Sequence, residues 1–171
     1  MNNPLWQPSD QQLKEANLTA FSAFISEKHA VRFASYDGLH AWSVENSEQF
    51  WTSLIEFVGV KAHGWGDVVL QDSASMPGAK WFPDARLNFA ENLLSKDDDS
   101  EAIVFYGEDK LVRRLSWADL SEQVSLMAQA MRHAGVVTGD RVAAYLPNMP
   151  EAVIAMLAAS SIGAIWSSCS P

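Results

Sequence analysis

The sequence predicts an α/β fold in which an N-terminal helical and loop cap precedes the start of a mixed-to-parallel sheet layered with helices. Three observations predict it. Apolar residues before position 59 recur at helical spacing, residues 60–85 are broken by Gly and Pro, and after Ser100 short apolar runs alternate with long amphipathic stretches. The composition changes near position 95, so residues 1–95 form the expected cap and residues 96–171 the expected beginning of a larger domain.

In the cap, Ser9 offers a hydroxyl to an orphan amide and Gln12 stands three residues on, as in a capping box. Leu13, Ala16, Ala20 and Phe24 then follow as the apolar stripe of one helix. Asn46 and Gln49 predict a second box, with Phe50, Trp51, Leu54, Ile55 and Val58 on the stripe and Gly59 as the left-handed exit. Residues 60–85 read as a long connection, interrupted at Gly64, Gly66, Pro77, Gly78 and Pro83. A short helix is expected over 88–94, then a solvated acidic loop over 95–100.

The second part reads as packed layers. Residues 102–106 are continuously apolar, as in a strand covered on both faces. Residues 107–110 make a turn, and 111–115 return as the partner strand. Ser116 and Asp119 form another capping box, stapled by Leu115 and Leu120. Trp117, Leu120, Val124, Ala128 and Met131 line that helix, and Arg132, His133 and Gly135 finish it. After the Gly139-Asp140 turn, 141–146 reads as a buried strand. Pro150 opens a helix at its first position, Gly163 closes it, and 164–168 returns as a strand. Strand–helix–strand with such short connections requires parallel pairing.

Composition excludes several functions. The chain has 171 residues, 12 basic and 21 acidic, for a net charge of −9. A global basic field for nucleic acid is absent, and the Trp residues have no interleaved Lys and Arg to make a base-stacking platform. One Cys rules out a disulfide framework and points, with the lack of a leader-like N-terminus, to the cytoplasm. The apolar stretch 152–166 is too short for a membrane span. No metal site is expected: the four His are scattered, and Asp97, Asp98 and Asp99 cannot all face one ion from a regular element.

Candidate chemistry is sparse. Ligands of open parallel sheets bind beyond the carboxyl ends of the strands, here Pro147-Asn148 and Ser168-Cys169-Ser170-Pro171. The second cluster consists of small residues that let a ligand approach the backbone; equally, it reads as plain loop. Cys169 has no neighbouring Lys, Arg or His in sequence to activate it and reads as a buried or half-buried thiol. His133 reads as a helix-end charge, and His29, His40 and His63 have no catalytic spacing. Phosphate-loop, zinc-protease and nucleophile-elbow motifs are absent, so no catalytic residue is assigned.

Four strings extend this reading. Residues 135–166, GVVTGDRVAAYLPNMPEAVIAMLAASSIGAIW, resemble the opening of the large domain of acyl-adenylate-forming CoA ligases. KWFPDARLNFAENLL (80–94) is similar to the segment before that domain in the acetyl-CoA synthetase branch, and YDGLHAWSVENSEQFW (36–51) with WSSCSP (166–171) resembles its acetoacetate-activating members. The resemblance implies a ligase of the AMP-binding superfamily using ATP, Mg and coenzyme A. A short acyl acid such as acetoacetate would form an acyl-adenylate and then a thioester. The phosphate loop, ribose-binding Asp, hinge and mobile-domain Lys of such enzymes all lie beyond position 171. The chain is therefore expected to be an incomplete, inactive N-terminal fragment with no cofactor bound. Carried over residue by residue, the loop against the coenzyme A nucleotide falls on Ser170 and Pro171, which depart from the Phe-Gly found there. An unpaired sheet edge would favour self-association, and an autonomous binding or subunit-assembly module is the alternative reading.

Overall fold

The computed structural model describes residues 5–108 and 111–171; Asp109 and Lys110, half of the expected 107–110 turn, lie outside them. Inter-residue contacts divide the chain into two units. One comprises the described residues through Val60 with Gly64–Ala85, and the other Lys61–His63 with Arg86–Pro171. Helix 88–94 of the sequence reading thus belongs to the second unit.

The first unit holds four helices: α1 (Asp10–Glu15), α2 (Asn17–His29), α3 (Tyr36–Glu45) and α4 (Ser47–Val58). Ser9 caps α1 with Gln12 in the expected box. The single helix through Phe24 is in fact two. Ala16 is extended (ψ 134°), its carbonyl accepts from the amides of Thr19 and Ala20, and the Thr19 hydroxyl donates to the Leu13 carbonyl at 2.6 Å. That hydroxyl ends α1 while Ala16 starts α2. Helix α3 has no counterpart in the sequence expectations, and Asn46 does not form the expected box with Gln49. Both the amide and the side-chain Nδ2 of Asn46 donate instead to the Trp42 carbonyl, so Asn46 terminates α3 and gives α4 no side-chain cap. Gly59 provides the expected left-handed exit at φ 70°.

Phe21, Ile25 and Leu39 form the core of this unit, with Phe50, Leu54 and Phe57 of α4 packed against them. Burial therefore follows the 50–54–57 face; Trp51 and Val58 of the predicted stripe are exposed. Phe21 meets Phe50 edge-on at 5.7 Å, a geometry that matches ring quadrupoles. The long connection contains one antiparallel pair of two-residue strands, β1 (Leu70–Gln71) and β2 (Lys80–Trp81). Its rings pack locally, Trp51 on Trp81 at 5.9 Å and Trp65 on Phe82 at 5.3 Å.

The second unit contains α5 (Phe89–Leu93), the antiparallel pair β3 (Glu101–Tyr106) and β4 (Val112–Ser116), α6 (Trp117–His133), and β5 (Arg141–Tyr145)–α7 (Pro150–Ser161)–β6 (Ile165–Cys169). β5 and β6 pair in parallel, as the short connections require, with Arg141 opposite Ile165 and Tyr145 opposite Cys169. Leu120, Val124 and Ala128 of α6 and Ile154, Leu157, Ala158 and Ala159 of α7 meet in the core. The Ser116–Asp119 box is present as expected, and Leu115 and Leu120 on either side of it are both buried in this core.

Burial of the strands differs from the sequence reading. β3 and β5 alternate rather than being covered on both faces, and Val104, Tyr106, Tyr145 and Ile165 are exposed. Among the described residues each sheet has only two strands. No helix of the described residues is long and apolar enough to cross a membrane.

Candidate functional site at the strand ends

Parallel pairing brings the two predicted strand ends together. Beyond the Tyr145–Cys169 pair, the Leu146 amide donates to the Cys169 carbonyl at 3.3 Å, the last rung of the ladder. Pro147 and Asn148 leave β5 on one side, Ser170 and Pro171 follow β6 on the other, and all four are exposed. Ser167 and Ser168 are exposed as well, so this end presents small side chains and accessible backbone. Such a surface fits the close approach of a large polar ligand. It supplies no cation: the nearest basic residue along either strand, Arg141, begins β5 at its opposite end.

Cys169 is exposed, not buried or half-buried as its sequence context suggested, because β6 is a sheet edge among the described residues. Its Sγ lies 4.0 Å from the Ala144 carbonyl and beside no base. Among the described residues no group of three His, Cys, Asp or Glu is placed to hold a metal ion. In the acidic loop the Asp98 carboxylate accepts from the hydroxyl and the amide of Ser100, which holds its pKa below the ordinary aspartate value.

The histidines find partners that spacing did not reveal. His29 Nε2 lies 2.8 Å from Ser53 Oγ, 24 residues away. His63 Nε2 lies 3.3 Å from Glu91 Oε2, at a concavity of about 410 Å³ shared with Arg86, Asn88 and Ser161. His133 is exposed at the end of α6.

One pair next to the strand ends escaped the sequence reading. Arg113 of β4 donates from Nη1 to Glu151 Oε1 at 2.6 Å, in the first turn of α7. Burial opposes the Glu151 charge. Hydrogen bonds from Arg113 and from its own backbone amide, with the guanidinium charge, outweigh this and hold its pKa below the ordinary glutamate value. Glu151 was legible as an acid favoured by a helix start. Its partner, 38 residues earlier, carries no local signal.

Two known families match the chain in adjoining segments. Residues 36–93 match the acetyl-coenzyme A synthetase N-terminus family, and residues 89–171 match the AMP-binding enzyme family. Together with the strand–helix–strand unit and its open strand-end site, these matches make residues 89–171 similar to AMP-binding enzymes and residues 36–93 similar to the acetyl-coenzyme A synthetase N-terminus.

Among individual proteins, the similarity is to acetoacetyl-CoA synthetases. It is 46% identical over 168 residues to the acetoacetyl-coenzyme A synthetase of Rhizobium meliloti (strain 1021), covering 98% of this chain and 26% of that protein. Identity to the Rattus norvegicus acetoacetyl-CoA synthetase is 39% over 170 residues, 98% of this chain and 25% of the relative. The acetoacetyl-CoA synthetase structure from Streptomyces lividans superposes with a TM-score of 0.91 at 39% identity, covering 99% of this chain and 27% of that one. The chain thus spans about a quarter of the length of the relatives it matches and corresponds to their N-terminal part.

Proposed function

We propose that this chain is the N-terminal part of an ATP-dependent acetoacetate–CoA ligase. One observation carries the reading: similarity to acetoacetyl-CoA synthetases extends over 98% of the chain, including the cap as well as the sheet. In the reaction, the acid's carboxylate attacks the α-phosphorus of Mg-bound ATP and pyrophosphate leaves. The coenzyme A thiolate then attacks the acyl carbonyl and AMP leaves. Here residues 1–95 act as the cap and residues 96–171 as the beginning of the large domain of a cytoplasmic enzyme. The strand end at Ser170 and Pro171 faces coenzyme A, and the small side chains of 167–170 leave room for it.

The test is a chimera in which residues 1–171 replace the matching segment of the Rhizobium meliloti relative. Acetoacetate- and coenzyme A-dependent AMP release is expected, while the 171-residue chain alone gives no ATP–pyrophosphate exchange with acetoacetate. A folded chimera without AMP release would overturn the assignment. Exchange by the chain alone would overturn its inactivity.

The exposed Tyr145 and Ile165 favour a second, compatible reading: alone, the chain self-associates through the uncovered β5–β6 pair. Light scattering at rising concentration checks it; a monomer throughout would exclude it.

A further inference from the structure

We propose that Arg113 and Glu151 are a positioning pair for the strand-end site, acting through the loop 146–149. The loop has two anchors. Upstream, Leu146 is bonded to Cys169, which carries Ser170 and Pro171. Downstream, the Ala152 amide donates to the Met149 carbonyl at 3.0 Å and α7 begins at fully buried Pro150. Glu151 follows at once, and Arg113 ties it to β4, whose next inward residue, Leu115, is a core residue. The start of α7 is thereby fastened to the hairpin β3–β4, and the four-residue loop between the anchors loses its freedom to swing.

The surroundings single out this pair. Arg114 is paired with Glu101, and Asp119 is held by Ser116, so neither competes for Arg113 or Glu151. Gln123 is the remaining polar side chain of the concavity, about 660 Å³, that the pair borders. Only the Oε1 oxygen of Glu151 meets Arg113, while Oε2 is buried with no hydrogen-bond partner, so Arg113 supplies the side-chain hydrogen bond that offsets the partial burial of this carboxylate.

This inference rests on the reading that the strand end meets coenzyme A, and its test separates the two. Glu151→Gln, Arg113→Met and the double variant are made in the 171-residue chain, and amide hydrogen exchange is followed at the two bonded amides that anchor the loop, Leu146 and Ala152. Each single variant is expected to raise exchange about threefold to fivefold, and the double no further, since both remove one interaction. Unchanged exchange, additive effects, or an equal rise across β3–β4 would overturn the proposal. The same substitutions in the chimera should raise KM for coenzyme A about threefold and leave the ATP–pyrophosphate exchange rate unchanged. Faster local exchange with an unmoved KM would support the positioning role and overturn the coenzyme A contact.

Discussion

His29 Nε2 stands 2.8 Å from the hydroxyl of Ser53, the one polar side chain fully buried among the described residues. The bond joins the last turn of α2 to the middle of α4, with the His29 ring against Trp42 at 5.3 Å. The two partners are unequal. Ser53 has no access to water, whereas His29 is half exposed.

Removing the histidine should therefore cost more than removing the hydroxyl. Ser53→Ala leaves His29 open to solvent and is expected to lose about 1 kcal/mol; His29→Ala strands a buried hydroxyl and loses about 2 kcal/mol. Urea unfolding followed by Trp fluorescence checks the order, and the double variant should be no worse than His29→Ala. The reverse order would remove the argument.

Asn88 serves two helices. Its Oδ1 accepts from the Glu91 amide and caps α5, while its Nδ2 donates to the carbonyls of Ser160 at 3.0 Å and Ser161 at 3.4 Å at the end of α7. Asn88→Ala should lose about 2 kcal/mol, one cap and one further bond. Asn88→Asp keeps the acceptor and sets a negative charge beside the two part-buried carbonyls, so its deficit should shrink as pH falls and the new carboxyl protonates. Unfolding midpoints at pH 7 and pH 5 distinguish these variants. A deficit independent of pH would contradict the geometry.

Gly163 has φ +76°, and a Cβ built there would lie 2.9 Å from Thr138 Cγ2. Gly163→Ala should lose about 1–2 kcal/mol from backbone strain, with the methyl clash added. Thr138→Ser removes Cγ2 but keeps the hydroxyl that donates to Ile162 at 3.0 Å. It should recover part of the loss, measurable by thermal unfolding of the single and double variants.

Acid should loosen the start of α6. Asp119 accepts from the Ser116 amide and interacts with its hydroxyl, and these bonds hold its pKa below the ordinary aspartate value. A depressed native pKa adds stability that is complete above the unfolded aspartate range and is lost as pH falls through the native value. Protection factors in the first turn of α6, which remove the intrinsic pH dependence of amide exchange, should fall over that acid interval, and Asp119→Asn should flatten the fall. An equally steep profile in the variant would assign the effect to another group.

The features legible in the sequence were those decided by neighbours in the chain. Ser9–Gln12 and Ser116–Asp119 announce their helices because both capping partners lie within one turn. Pro150 and Gly163 bracket α7, and the brevity of its flanking loops makes β5 and β6 parallel. Asn46 misled because the same side chain can open one helix or finish another, and the Trp42 carbonyl took it. Continuous apolar runs suggested strands covered twice, yet Val104 and Tyr145 face outward, since apolarity records what a strand tolerates and not what stands opposite. The strand-end cluster was legible from topology; Arg113–Glu151 and His29–Ser53 were not, because each joins residues more than twenty positions apart.

The short segment Lys61–His63 lies in the second unit although residues on both sides of it lie in the first. Asn92 secures it, accepting from the Lys61 amide at 2.8 Å and donating to the Lys61 carbonyl at 2.9 Å. Neither unit is therefore one uninterrupted stretch of gene. A clone that starts at Arg86 would strip Asn92 of both these bonds, so a faithful excision of the second half must carry a three-residue strap along with it.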